Sequence, residues 1–233
     1  MGSGPVSPGS WKLIPHWHPS PNCGPRRDGL RPTHVVLHYT AMATAEEAID
    51  RLCDPSAEVS AHYVICKTGR VTQLVPEGLR AWHAGAGEWD GLTDVNSRSI
   101  GIELDNDGRG SFSSALMHSL EALLAHILTA WNIPPAHVIG HSDMAPGRKF
   151  DPGPHFDWER LEALQLAGHR GKDPGPEDPD LDRFAQLARR VGYTADVDAH
   201  TLLAAVRLRY RPFATGPIAP EDFTPIGHSA LWT

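Results

Sequence analysis

Short apolar runs, each ended by glycine, proline or a polar turn, alternate along the chain with stretches of three- and four-residue apolar spacing. Residues 33–40 (THVVLHYT) are rich in β-branched and apolar side chains and read as a buried strand. Residues 60–65 and 71–75 bracket Lys67-Thr68-Gly69-Arg70, the pattern of two strands joined by a glycine-containing turn. In 99–105, alternation sets Ile100, Ile102 and Leu104 on one face and Ser99, Gly101, Glu103 and Asp105 on the other. A last short strand is predicted over 137–140. Helices are predicted between these runs. Over 44–52, Thr44 has the N-cap position with Glu47 three residues on, and Ala48, Ile49 and Leu52 form the apolar face. Over 113–131, Leu116, Leu120, Leu123, Leu124, Ile127 and Leu128 mark one buried side, and Pro134-Pro135 stops the helix. A short helix is expected at 157–166. Strands interleaved with helices give an α/β class.

The flanks differ from this body. Residues 1–30 are rich in proline, glycine, serine and arginine and read as an extended arm, with Trp11 and Trp17 as candidates to pin it down. Residues 169–179, with Asp173-Pro174-Gly175-Pro176, read as a linker. Beyond it, 181–191 and 201–210 are amphipathic, and 220–231 is expected to hold a third helix. The expected organisation is therefore an arm at 1–30, a body at 31–168, a linker at 169–179 and a small helical module at 180–233.

Composition narrows the function. A net charge of −7 without a basic cluster argues against a nucleic-acid surface. No apolar run approaches the roughly 20 residues that span a bilayer. The first residues lack a basic region followed by an apolar one, so no signal peptide is expected. Three cysteines without close spacing suit a reduced, cytoplasmic protein. The 14 histidines each need a context before they count as functional.

Some have one. Residues 145–154 (APGRKFDPGP) form a loop stiffened by proline and glycine, and His141, Lys149 and Asp151 fall within eleven residues. His38 ends the first strand of the body, where a sheet fixes its Cα. Glu103 lies inside an apolar strand; burial would raise its pKa towards that of a neutral-pH general base, unless the strand is an exposed edge. Trp82 and His83 open a glycine-rich loop running to about Asn96. Two imidazoles, a carboxylate and an open fourth position are the ligand set of a catalytic zinc.

Five stretches occur in one order: VVLHYT (35–40), SAHYVI (60–65), AWHAG (81–85), NSRSIGIEL (96–104) and GHSDMAPGRKFDPGP (140–154). Through them the chain resembles, over about residues 20–165, the zinc-dependent N-acetylmuramoyl-L-alanine amidases of the type 2 class. This is the AmpD/AmiD group, related to peptidoglycan recognition proteins. The resemblance implies a central mixed β-sheet flanked by helices and one Zn2+ per chain on His38, His141 and Asp151. It implies Glu103 and Lys149 as catalytic residues, and Trp82, His83, Asn96 and His62 on the substrate side. Two positions depart from the pattern. Asp94 stands where some members place a substrate-contacting arginine, and Phe150 stands where threonine is commoner, a change expected to affect packing only. The implied reaction is hydrolysis of the amide between N-acetylmuramic acid, or its 1,6-anhydro form, and L-alanine. The implied partners are muropeptides or peptidoglycan, and a monomer is expected. The tail resembles a small peptidoglycan-binding module, with a shielding appendage as the alternative. A non-catalytic muropeptide-recognition protein remains the rival, and a periplasmic location the alternative to a cytoplasmic one. A peptidase of the HExxH kind is disfavoured because that motif is absent.

Overall fold

In the computed structural model, which describes residues 14–227, the apolar runs of the body lie side by side in one mixed sheet. In chain order the strands are β1 (His16–Trp17), β2 (Cys23–Pro25), β3 (His34–Tyr39), β4 (Tyr63–Ile65), β5 (Val71–Gln73), β6 (Leu79–Ala81), β7 (Ser99–Leu104) and β8 (Val138–Gly140). The main sheet has the order β1-β5-β4-β7-β3-β8, and β2 and β6 form a separate antiparallel pair. β4 and β5 are the expected antiparallel hairpin, whereas β4, β7, β3 and β8 run parallel. The helices are α1 (Ala45–Cys53), α2 (Val95–Arg98), α3 (Ser114–Trp131), α4 (His141–Met144), α5 (Trp158–Ala163), α6 (Leu181–Arg190), α7 (Ala199–Tyr210) and α8 (Pro220–Phe223).

Side-chain alternation decides which core each strand residue joins. Val35, Leu37, Ile100, Ile102, Leu104 and Val138 face α3, whose Leu116, Leu120, Leu123, Leu124 and Ile127 close the first core. Their neighbours Val36 and Ile139 point the other way, into a second core with Phe184, Tyr193, Leu202, Val206 and Phe223. Farther along that face, α1 sets Ala45, Ile49 and Leu52 against Val64, Leu74 and Ala81. Because β3 is covered on both sides, its sequence reads as a continuous apolar run rather than an alternating one. Local signals set the helix starts: Thr44 accepts a hydrogen bond from the Glu47 N–H (3.2 Å), and Ser113 from that of Leu116 (3.2 Å).

Two expectations about the flanks change. The arm carries regular structure, since β1 pairs with β5 and β2 with β6. Polar side chains stitch it down: Asn22 Nδ2 donates to the Asp54 and Val59 carbonyls (2.8 Å each), and buried Arg26 donates to the Ser99 carbonyl (3.0 Å). Trp17 is half exposed, its backbone paired with Gln73, and Trp11 lies outside the described residues. At the other end, α6 and α7 share their core with the sheet, so no break in packing follows residues 169–179. Phe184, Leu202 and Val206 of these helices are buried in one cluster with Val36 and Ile139 of the sheet. The expected third helix is α8 followed by a 3-10 turn, Thr224–Ile226; its predicted continuation past 227 lies outside the described residues. Among the described residues no helix is long and apolar enough to cross a membrane.

Candidate metal centre

The parallel run of β7, β3 and β8 brings the carboxyl ends of these strands together, where ligand sites of α/β sheets form. His38, near the end of β3, stands in register with Glu103 on β7. β8 ends at Gly140 and passes directly into α4, whose first residue is His141. Asp151 returns to the same point because its carbonyl accepts from the Ser142 N–H (2.9 Å). Between them the loop turns back on itself, with Gly147 at φ 75° and a Lys149 N–H to Ala145 carbonyl bond of 3.0 Å.

The three side chains meet at one point. His38 Nδ1 lies 2.9 Å from His141 Nδ1 and 2.9 Å from Asp151 Oδ2, and His141 Nδ1 lies 3.0 Å from the same oxygen. Their outer hydrogen bonds say which atoms carry protons. His141 Nε2 faces the Ala84 carbonyl at 2.8 Å, which can only accept, so Nε2 carries a proton and Nδ1 is the nitrogen left bare in the neutral ring. For His38 the inference runs through two more residues. Ser99 Oγ donates its single proton to the Val95 carbonyl (2.6 Å), so it must accept from His83 Nε2 at 3.1 Å. His83 Nδ1 is then an acceptor, and His38 Nε2, 3.0 Å away, is its donor. His38 Nδ1 is therefore bare as well. Burial, with the neighbouring His141 imidazole, pulls His38 down to about 4, so the ring is neutral near pH 7. Two nitrogen lone pairs and a carboxylate oxygen facing one another repel without a cation between them. These three residues also form the His/Asp cluster able to hold a metal ion among the described residues. The donor set fits a catalytic zinc site, with ligating histidines each fixed by an outer hydrogen bond.

Glu103 stands beside this centre. Burial, then the Asp151 carboxylate, push its carboxyl well above the ordinary carboxylate range. Its Oε2 is buried and has no hydrogen-bond partner among the described residues. A cleft of about 410 Å3 opens over the centre and is lined by His38, Glu103, His141, Asp151, Lys149, Trp82 and His83. Arg51, Ser60, Arg148 and Phe150 line it too, and the sequence did not single out the first three. Arg148 had a readable signal, a second cation beside Lys149; its guanidinium donates to the Ala84 carbonyl (2.9 Å), the group that also orients His141.

The expected substrate-side residues divide. Trp82 faces the cleft. His83 touches it, but both ring nitrogens are engaged, so its evident work is to orient His38. Asn96 and His62 do not line the cleft, and both are buried. Asn96 Oδ1 accepts the His83 and Ala84 N–H groups (2.9 and 2.8 Å) and so shapes the loop from beneath. His62 Nδ1 accepts the Gly101 N–H (3.0 Å) and its Nε2 donates to the Leu79 carbonyl (3.1 Å). A buried polar residue inside a motif resembles a binding group until its backbone partners are known. Phe150 is 63% exposed on the cleft rim, so the departure from threonine alters the opening and not the packing. Asp94 is outside the cleft lining and pairs with Arg80 at 3.2 Å.

Comparison with known proteins adds a family. A model described as N-acetylmuramoyl-L-alanine amidase matches residues 28–154, more than half of the chain. The N-acetylmuramoyl-L-alanine amidase AmiD of Escherichia coli (strain K12) is 32% identical over 212 residues, 76% of this chain and 74% of that protein. The 1,6-anhydro-N-acetylmuramyl-L-alanine amidase AmpD of Salmonella typhimurium (strain SL1344) is 35% identical over 178 residues, 69% of this chain and 95% of that protein. The solved complex of Escherichia coli AmiD with the substrate anhydro-N-acetylmuramic acid-L-Ala-D-gamma-Glu-L-Lys matches with a TM-score of 0.77 at 29% identity, covering 92% of each chain.

Proposed function

The chain belongs to the N-acetylmuramoyl-L-alanine amidase family, and from that premise we propose that it is a zinc enzyme cleaving the muramoyl–L-alanine amide of soluble 1,6-anhydromuropeptides. The observation that carries the zinc reading is the meeting of three potential ligand atoms, from His38, His141 and Asp151, beside a buried carboxyl. One ion per chain would be held there, and when bound it supplies an acidified water and polarisation of the scissile carbonyl.

The rest of the reaction falls to the side chains. Glu103, held high by burial, takes the proton of the attacking water and returns it to the amine of the departing L-alanine. Lys149, on the cleft wall, faces the negative charge that builds on the carbonyl oxygen and stabilises it. Trp82, beside the centre, offers an apolar face to the sugar or the peptide stem. Arg148 and Arg51 add positive charge for a substrate that carries carboxylates. Retention of Glu103 and Lys149 with the whole donor set supports hydrolysis over recognition without cleavage. Three free cysteines support a reducing compartment, and with it cytoplasmic recycling of wall fragments.

The test is digestion of purified 1,6-anhydromuropeptide, followed by mass spectrometry, with zinc content measured on the same sample. Release of the intact peptide stem, one zinc per chain and loss of activity on chelation are expected. Cleavage within the stem, or undiminished cleavage after complete zinc removal, overturns the reading.

A further inference from the structure

His141 starts a single helical turn, α4, and what holds that turn comes largely from the C-terminal helices. Asp143, two residues after His141, is fully buried. Its Oδ2 accepts the Gly140 N–H (2.8 Å) and Arg209 Nη1 (2.6 Å), and its Oδ1 accepts the Tyr193 hydroxyl (2.8 Å). Arg209 lies on α7, and Tyr193 follows α6. The Arg209 guanidinium is itself buried, 3.9 Å from the centre of the Trp158 ring.

The same C-terminal turn also grips the loop that follows Trp82 and His83. The Asp90 N–H donates to the Gly192 carbonyl (2.9 Å), and the Gly91 N–H to Thr194 Oγ1 (2.7 Å). Trp89 packs edge-on against Tyr193, with ring centres 4.9 Å apart. Gly192 has φ +110°, and a Cβ there would lie 2.4 Å from the Trp89 ring, so only glycine allows this approach. The gripped loop carries Ala84, whose carbonyl fixes the tautomer of His141. One short stretch of chain thus holds both the backbone of this ligand and the group that aims its ring.

Packing alone does not call for this chemistry. A buried aspartate–arginine–tyrosine network gains little over apolar side chains of the same volume, because both charges must leave water. What it adds is direction, since each hydrogen bond fixes an angle and a distance. We propose that the 181–210 segment is a buttress of the metal centre, with Arg209 and Tyr193 as positioning residues. They act through Asp143 on the His141 backbone and, through Trp89 and Gly91, on the loop that carries Ala84. The inference rests on His141 being a metal ligand.

The experiment uses the full chain and two readouts besides turnover: zinc affinity by chelator competition, and the visible spectrum of the cobalt-substituted protein. Tyr193→Phe, which removes one hydroxyl, and Arg209→Gln are each expected to weaken zinc binding about tenfold or more and to shift the cobalt bands. Arg209→Lys restores part of the affinity. Arg207→Gln is the control for stability, since Arg207 lies on the same helix and pairs with Asp222 at 2.6 Å, away from the centre. It lowers Tm with zinc affinity intact. If Tyr193→Phe folds and matches Arg207→Gln in zinc affinity and in cobalt spectrum, the buttress is only scaffold and the proposal falls. A parent chain that binds no zinc overturns the metal reading, and the proposal with it.

Discussion

Glu103 illustrates how one side chain's setting becomes chemistry. An uncharged glutamine keeps its size and leaves the metal ligands alone, so Glu103→Gln should retain zinc while kcat falls about 10²- to 10⁴-fold, the usual worth of a general base. Zinc analysis beside steady-state rates checks this, and near-normal turnover would remove Glu103 from the mechanism. Burial raises this carboxyl, and a base works only when deprotonated. Activity should therefore fall as pH drops through a pKa above the ordinary carboxylate value. A second prediction concerns Gly101. A Cβ at this position would lie 2.4 Å from the His83 ring, which orients His38. Gly101→Ala should cost about 1–3 kcal/mol by overpacking and weaken zinc binding, read by denaturant melts and chelator competition. Unchanged zinc affinity would show that His83 can shift without moving His38. The cluster of His38, His141 and Asp151 was legible, because histidines at strand ends and an aspartate on a stiff loop are recognisable by type and motif. The role of His83 was not. Its contact with His38 depends on where Ser99 sends one proton, which spacing cannot reveal.

At the scale of elements, periodicity carried most of the information. The leucines of α3 repeat every three or four residues because one side meets the sheet, and the helix appears within a residue of its predicted start. Leu124 is fully buried there, whereas His126 on the same helix is exposed. Leu124→Ala should cost about 2–5 kcal/mol in urea melts and His126→Gln less than about 0.5 kcal/mol. Comparable losses from the two would mean that α3 does not bury the face assigned to it. Strands β1 and β2 escaped because they are two and three residues long and rich in proline and polar groups. Their pairing is decided by partners far along the chain, β5 and β6, and not by a local pattern.

Over the whole molecule, the sheet is buried on both faces, and the C-terminal helices belong to one of its two covers. The linker composition of 169–179 suggested a boundary; composition records the polarity of a connection, but not whether the segments it joins share a core. Burying both faces also traps titratable groups. His34 and His62 lie in the interior, and burial is the largest cause pulling each down to about 3. Both are thus neutral in the folded chain, whereas in the unfolded chain they take up protons below their ordinary value of about 6.5. The unfolded state binds more protons across that window, so stability is full above about pH 6.5 and falls as pH drops towards 3. Each such histidine contributes a slope of up to about 1.4 kcal/mol per pH unit. His34 is the cleaner one to remove. It stacks on His137 with ring centres 4.4 Å apart, and its Nε2 is buried with no partner among the described residues. His34→Phe keeps a ring in that stack and deletes the proton site. Urea unfolding at pH 7.5, 6 and 5 should show the variant losing less stability on acidification than the parent, by about one proton's worth of slope. Parallel curves for the two proteins would mean that His34 is already protonated when folded, and that the interior there is wetter than its burial indicates.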